Sequence, residues 1–126
     1  MDYKQIMLNS AKHHNAQEKA YQEKIAEQKS YIHKMYKDVC DFVDYLVSDN
    51  PNMEISQNEG GSESGNKVRV KNKCTGNGLL ISTPHTYRYG EPKIQFFVYG
   101  NGWSKGYIAD YDNYKKNIAE LMGHIL

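Results

Sequence analysis

The residues best suited to chemistry are cations and aromatic rings in the C-terminal half. In Lys67-Val68-Arg69-Val70-Lys71-Asn72-Lys73, four cations alternate with Val68, Val70 and Asn72. Alternate residues of a strand share a face, so the cations stand on one side at intervals of about 6–7 Å. That spacing suits a row of backbone phosphates. An edge strand guarded by lysines against aggregation would carry the same pattern.

Aromatic residues crowd the stretch that follows. Phe97, Tyr99, Trp103 and Tyr107 surround Lys105, with Tyr87, Arg88 and Tyr89 shortly before. A three-residue Gly100-Asn101-Gly102 loop, with Gly102 left-handed, pairs Tyr99 with Trp103, Phe97 with Lys105 and Gln95 with Tyr107. Ile94, Phe96, Val98 and Ile108 then face the helices, and the rings and Lys105 face outward. A two-residue Asn101-Gly102 turn would set Lys105 beside Val98, which is the poorer partition. An outward face of this kind could stack unpaired bases or anchor a protein partner. The same rings would be core if the C-terminal helix covered them.

Three further groupings carry less. Asp38, Asp41 and Asp44 recur at helical spacing, as a solvated helix face does. Such a row could also imitate a phosphate backbone. His13, His14, His33, His85, His124, Cys40 and Cys74 show no metal-ligand spacing. No catalytic signature is present, and Asp110 and Asp112 fit a helix start. Hence no catalytic residue, metal or cofactor is expected.

These side chains need positioning elements. The chain has 126 residues, which suits one domain spanning 1–126. It is 39% hydrophobic and 25% charged, with a net charge of +1. No global field therefore selects a partner, although residues 38–66 hold seven acids and no Lys or Arg. Eleven tyrosines against three phenylalanines favour amphipathic surfaces over a plain core. No stretch approaches the roughly 20 apolar residues of a membrane span. The start lacks the basic and apolar regions of a signal peptide. Two distant cysteines without such a signal suit reduced thiols and a cytoplasmic setting.

Residues 3–48 contain no Pro or Gly and carry an apolar stripe that is clear from Ile25 onward. They predict a long helix ending at Ser48-Asp49-Asn50-Pro51. Its thin N-terminal half should overhang, fold back after a bend near Asn15-Ala16, or pair as a coiled coil. Pairing in a homodimer through residues 3–30 is the preferred expectation, with Tyr21, Ile25 and Ile32 in contact. Residues 49–66 read as a flexible acidic loop, with a short strand allowed at 53–56. Strands are expected at 67–74, 79–83, 85–89, 93–99 and 103–108, forming an antiparallel meander over 67–108. Asp110 should cap a C-terminal helix over 110–126.

The expected fold is therefore α+β: a long N-terminal helix, an antiparallel meander of four to five strands, and a C-terminal helix. The expected function is non-catalytic binding of a macromolecule, most simply a protein. An inhibitor, immunity factor, anti-defence protein or adaptor acting by steric blocking fits this description. Phe97, Tyr99, Trp103 and Tyr107 would anchor the partner, with Lys105 and Arg88 orienting it. The alternative is single-stranded nucleic-acid binding, with phosphates on Lys67, Arg69, Lys71 and Lys73.

Overall fold

The computed structural model of the chain describes residues 2–60, 65–84, 93–100 and 102–126. Helix α1 spans Tyr3–Val47. Its start is fixed by Asp2, whose Oδ1 accepts the backbone N–H groups of Lys4 at 3.0 Å and Gln5 at 3.3 Å. This acid caps otherwise orphaned donors. No Gly or Pro interrupts the helix, which continues unbroken through Asn15 and Ala16. At the far end Asn50 donates to the Val47 carbonyl at 3.0 Å, and Pro51 forbids continuation.

The chain divides into two compact units, Met1–Tyr31 and Ile32–Leu126. Along residues 2–31 every side chain is exposed except the half-buried Ile25 and Gln28. Local pairs such as Gln5 with Asn9 and Gln22 with Glu18 decorate this surface.

In the second unit five strands form an antiparallel meander in the order β1-β2-β3-β4-β5. They are β1 Met53–Asn58, β2 Asn66–Asn72, β3 Gly78–Thr83, β4 Lys93–Gly100 and β5 Trp103–Asp110. A 3-10 turn at Tyr111–Asn113 leads into helix α2, Tyr114–His124. The α+β architecture is the one the sequence predicts. The strand expected at 85–89 lies outside the described residues.

One face of the sheet carries the core. Val68, Val70, Leu79, Ile81, Ile94, Phe96 and Val98 are buried there with Met35, Val39 and Val43 of α1 and Ile118 and Leu121 of α2. The apolar periods of two and 3.6 residues thus meet in a two-layer fold. Polar groups pin the layers together. Tyr36 donates its hydroxyl to the Lys67 carbonyl at 2.9 Å, and burial raises its pKa. Asn72, buried at the end of β2, donates Nδ2 to the Ile125 carbonyl at 2.8 Å.

Four expectations are corrected. Residues 53–58 are a full edge strand paired with β2, not part of a flexible loop. Met53 and Ile55 supply its inward positions, and the Asn50 side chain turns the chain by accepting Asn52 N–H at 3.0 Å. Asp110 makes no side-chain cap; it closes β5 and pairs with Lys93 at 2.9 Å. Ile32 is buried within its own unit at 8% exposure, so it is core rather than a dimer contact. Finally, the β4–β5 register is the rejected one: Gly100 pairs with Trp103, Tyr99 with Ser104, Val98 with Lys105, Phe97 with Gly106 and Phe96 with Tyr107.

The last correction has a physical cause. Gly100 and Trp103 pair directly across Asn101 and Gly102, and Asn-Gly is a favoured two-residue hairpin sequence. Gly102 has φ +78°, a backbone conformation that glycine adopts without a Cβ penalty. The register sets glycines against rings. A Cβ on Gly106 would lie 3.2 Å from the Phe97 ring, and one on Gly100 would overlap the Trp103 indole. It also turns small Ala109 inward and leaves Ile108 outward at 67% exposure.

Candidate functional site: the helix-free face of the sheet

The face opposite the core is built by the alternate residues of every strand. Across β1 to β5, one row runs Glu54, Lys71, Gly78, Tyr99, Ser104. The next runs Ser56, Arg69, Leu80, Phe97, Gly106, and the third Asn58, Lys67, Ser82, Gln95, Ile108. Val68 and Val70 point into the core, so Lys67, Arg69 and Lys71 must point away from it.

Sequence reasoning treated the basic strand and the aromatic hairpin as separate candidates. Part of each shares this face. Lys67, Arg69 and Lys71 stand in one column, with Leu80 on the next strand and Phe97 and Tyr99 on the one beyond. Arg69 and Lys71 are exposed, and none of the three cations forms an ion pair among the described residues. Ser56, Asn58, Lys67, Arg69 and Leu80 line a shallow depression of about 210 Å³.

The rings lie across neighbouring strands. Tyr99 occupies the space that a Cβ on Gly78 would need, and Phe97 leans over Gly106. A glycine opposite an aromatic residue lets the ring settle on the sheet surface and shields the bare backbone. Phe97 remains 42% exposed.

The structure separates the other expected anchors from this face. Trp103, Lys105 and Tyr107 lie on the helix side of β5, although Trp103 is 46% exposed and Lys105 is also exposed. The five-member aromatic and basic cluster is therefore split by the register. Lys73 follows β2 in a turn, where its N–H donates to the Asn52 carbonyl at 2.9 Å. Arg88, Tyr87 and Tyr89 lie outside the described residues. The β1 side of the face, Ser56 and Asn58, was missed. Its signal was the alternation of Met53 and Ile55 with polar residues.

A second concavity, of about 480 Å³, lies beside α2 and is lined by Asp38, Asp41, Phe42, Tyr111, Asp112, Tyr114 and Lys115. Tyr111 donates its hydroxyl to Asp38 and holds that carboxyl below its ordinary pKa, with help from Lys34. Tyr111 stacks on Tyr114 at 5.4 Å between centroids, and Lys115 lies 5.7 Å from the Phe42 ring. The Asp38 charge is thus answered by the Tyr111 hydroxyl and the Lys34 ammonium group. Asp44 is exposed on the same helix.

Elsewhere, His33 pairs with Glu59. Cys40 is buried, Cys74 is exposed, and both are free thiols. Burial raises the Cys40 pKa. Among the described residues, no group of three His, Cys, Asp or Glu is placed to hold a metal ion. No described helix is long and apolar enough to cross a membrane.

Among the described residues of the unit Ile32–Leu126, fold and site together define a two-layer α+β arrangement in which the helices pack on one face of the sheet. No family model, curated protein or solved structure matches the chain significantly.

Proposed function

We propose that this protein is a non-catalytic macromolecule-binding protein whose docking surface is the helix-free sheet face. Its mode of action is steric occupation of a partner, as in an inhibitor, immunity factor, anti-defence protein or adaptor. The observation that carries this reading is the shared face of Lys67, Arg69 and Lys71 with Leu80, Phe97 and Tyr99. Cations without an ion-pair partner among the described residues favour an anionic target and speed its encounter. Trp103, Lys105 and Tyr107 are left out of the anchor set because they lie on the other side of β5.

The proposal includes a homodimer through residues 3–30. Its support is the exposed apolar side chains Ile6, Met7, Leu8 and Tyr21, with half-buried Ile25 beside them. It also includes a cytoplasmic setting, which two free cysteines suit.

The test is affinity capture from source-cell lysate with the wild-type chain and Arg69→Glu, each with and without nuclease. Arg69 is exposed, so the charge reversal should leave the fold intact. A partner recovered by wild type and lost with Arg69→Glu is the expected result. Equal recovery by both proteins would move the docking surface elsewhere.

A further inference from the structure

We propose that the helix-free face binds single-stranded nucleic acid, with phosphates along β2 and bases over Leu80, Phe97 and Tyr99. This inference rests on the reading above that this face is the docking surface. It names the occupant.

The first argument is charge. Lys67, Arg69 and Lys71 form a column on one strand, about 6–7 Å apart along it. Two described carboxylates lie at the outward positions: Glu54, opposite Lys71 at one corner, and Asp110, tied to Lys93 at another. The column therefore offers its charge to solvent, and a linear polyanion matches it position by position.

The second argument is the composition of the face. A protein interface concentrates apolar residues at its centre and expels charge to the rim. Here the central position is Leu80, flanked directly by Arg69 on β2 and Phe97 on β4, with Ser82 and Gln95 in the next row. A cation one strand from the centre, beside rings and polar side chains, fits the more positively charged surfaces that bind nucleic acid.

The third is the disposition of the rings. β2 and β4 are two strand spacings apart, about 9–10 Å. A nucleotide with its phosphate on β2 can reach across β3 to place its base near β4. Glycines under Tyr99 and Phe97 let both rings lie over the sheet, as a stacking platform requires. Stacking requires unpaired bases, so a duplex is excluded from this mode. The depression beside Lys67 and Arg69 adds the Ser56 hydroxyl and Asn58 amide as further donors for a phosphate.

The experiment is fluorescence anisotropy of the full chain with a labelled oligo-dT of about ten nucleotides, within the usual range for one domain. Oligo-rU and a duplex of equal length are the comparison arms. Binding should weaken with salt at a log–log slope near −2, about −0.7 for each of three phosphate contacts. Arg69→Gln should reduce that slope by about 0.7. Phe97→Ala should weaken binding roughly 5- to 150-fold with the slope unchanged. Tyr99→Leu repeats this test should Phe97→Ala fail to fold. Lys116→Gln, on the outer side of α2, should change neither quantity.

Failure to bind either single strand at low salt would overturn the inference. So would equal affinity for the duplex, or an unchanged slope in Arg69→Gln. If no oligonucleotide binds while Arg69→Glu still abolishes capture of a nuclease-resistant partner, the docking surface stands and the nucleic-acid assignment falls. If Arg69→Glu leaves capture intact, the docking surface itself falls.

Discussion

Replacing Asn72 with alanine removes one polar side chain that ties three segments together. Asn72 is 5% exposed. Its Nδ2 donates to the Ile125 carbonyl at 2.8 Å, while its Oδ1 accepts from Cys74 N–H at 2.9 Å and Thr75 N–H at 3.4 Å. A neutral hydrogen bond contributes about 0.5–1.5 kcal/mol net, and the 3.4 Å contact belongs at or below the weak end. A buried carbonyl left without its donor costs about 1–3 kcal/mol in place of that bond's net value. The two good bonds and the stranded Ile125 carbonyl together give about 2–4 kcal/mol. That is a large part of a typical domain stability of about 5–15 kcal/mol. With a urea m-value of about 2 kcal/mol per molar, the unfolding midpoint should fall by about 1–2 M at unchanged m. Equilibrium urea denaturation followed by far-UV circular dichroism measures it. A midpoint shift below about 0.3 M would refute the buried clamp between β2 and the C-terminus.

Three other outcomes are expected. Gly78→Val forces a side chain into space held by Tyr99 and should cost about 1–3 kcal/mol. Adding Tyr99→Ser should recover part of that loss, and strict additivity in the double-mutant cycle would deny the contact. Tyr111→Phe removes the hydroxyl that depresses the Asp38 pKa, so the Asp38 midpoint should rise toward the ordinary carboxylate value. A depressed folded-state pKa gives stability above the unfolded pKa that is lost as pH falls through the folded one. The variant should therefore lose less stability on acidification, and an unchanged Asp38 titration by NMR would contradict the assignment. The proposed dimer predicts that removing residues 1–24 gives a smaller sedimenting assembly than the intact chain; unchanged stoichiometry would exclude that segment as the contact.

The sequence carried the fold well because its periodicities were undiluted. The Pro- and Gly-free run of residues 3–48 and the alternation Val68, Val70 against Lys67, Arg69 and Lys71 specify one helix and one strand face. The edge strand β1 was only half legible. Its six residues hold just two apolar side chains, and its partner β2 supplies the pairing that defines its length. The site failed on a single-residue choice at the last hairpin. Polarity favoured a three-residue loop, since it kept Lys105 away from Val98. Turn chemistry and the fit of rings over Gly100 and Gly106 favoured the two-residue connection. A one-residue slip moves every side chain of β5 to the other face. Lys105 tolerates the helix side because that end of β5 is exposed.

The shared face of the β2 cations and β4 rings can be tested by nuclear Overhauser contacts of the aromatic protons in the intact chain. The structure requires contacts from the Tyr99 ring to the Gly78 α-protons, and from the Phe97 ring to those of Gly106. Loss of the Tyr99–Gly78 contact would break the β3–β4 register on which the shared face depends and contradict the proposed surface, whereas contacts of Tyr99 with Trp103 and of Phe97 with Lys105 would restore only the other β5 register.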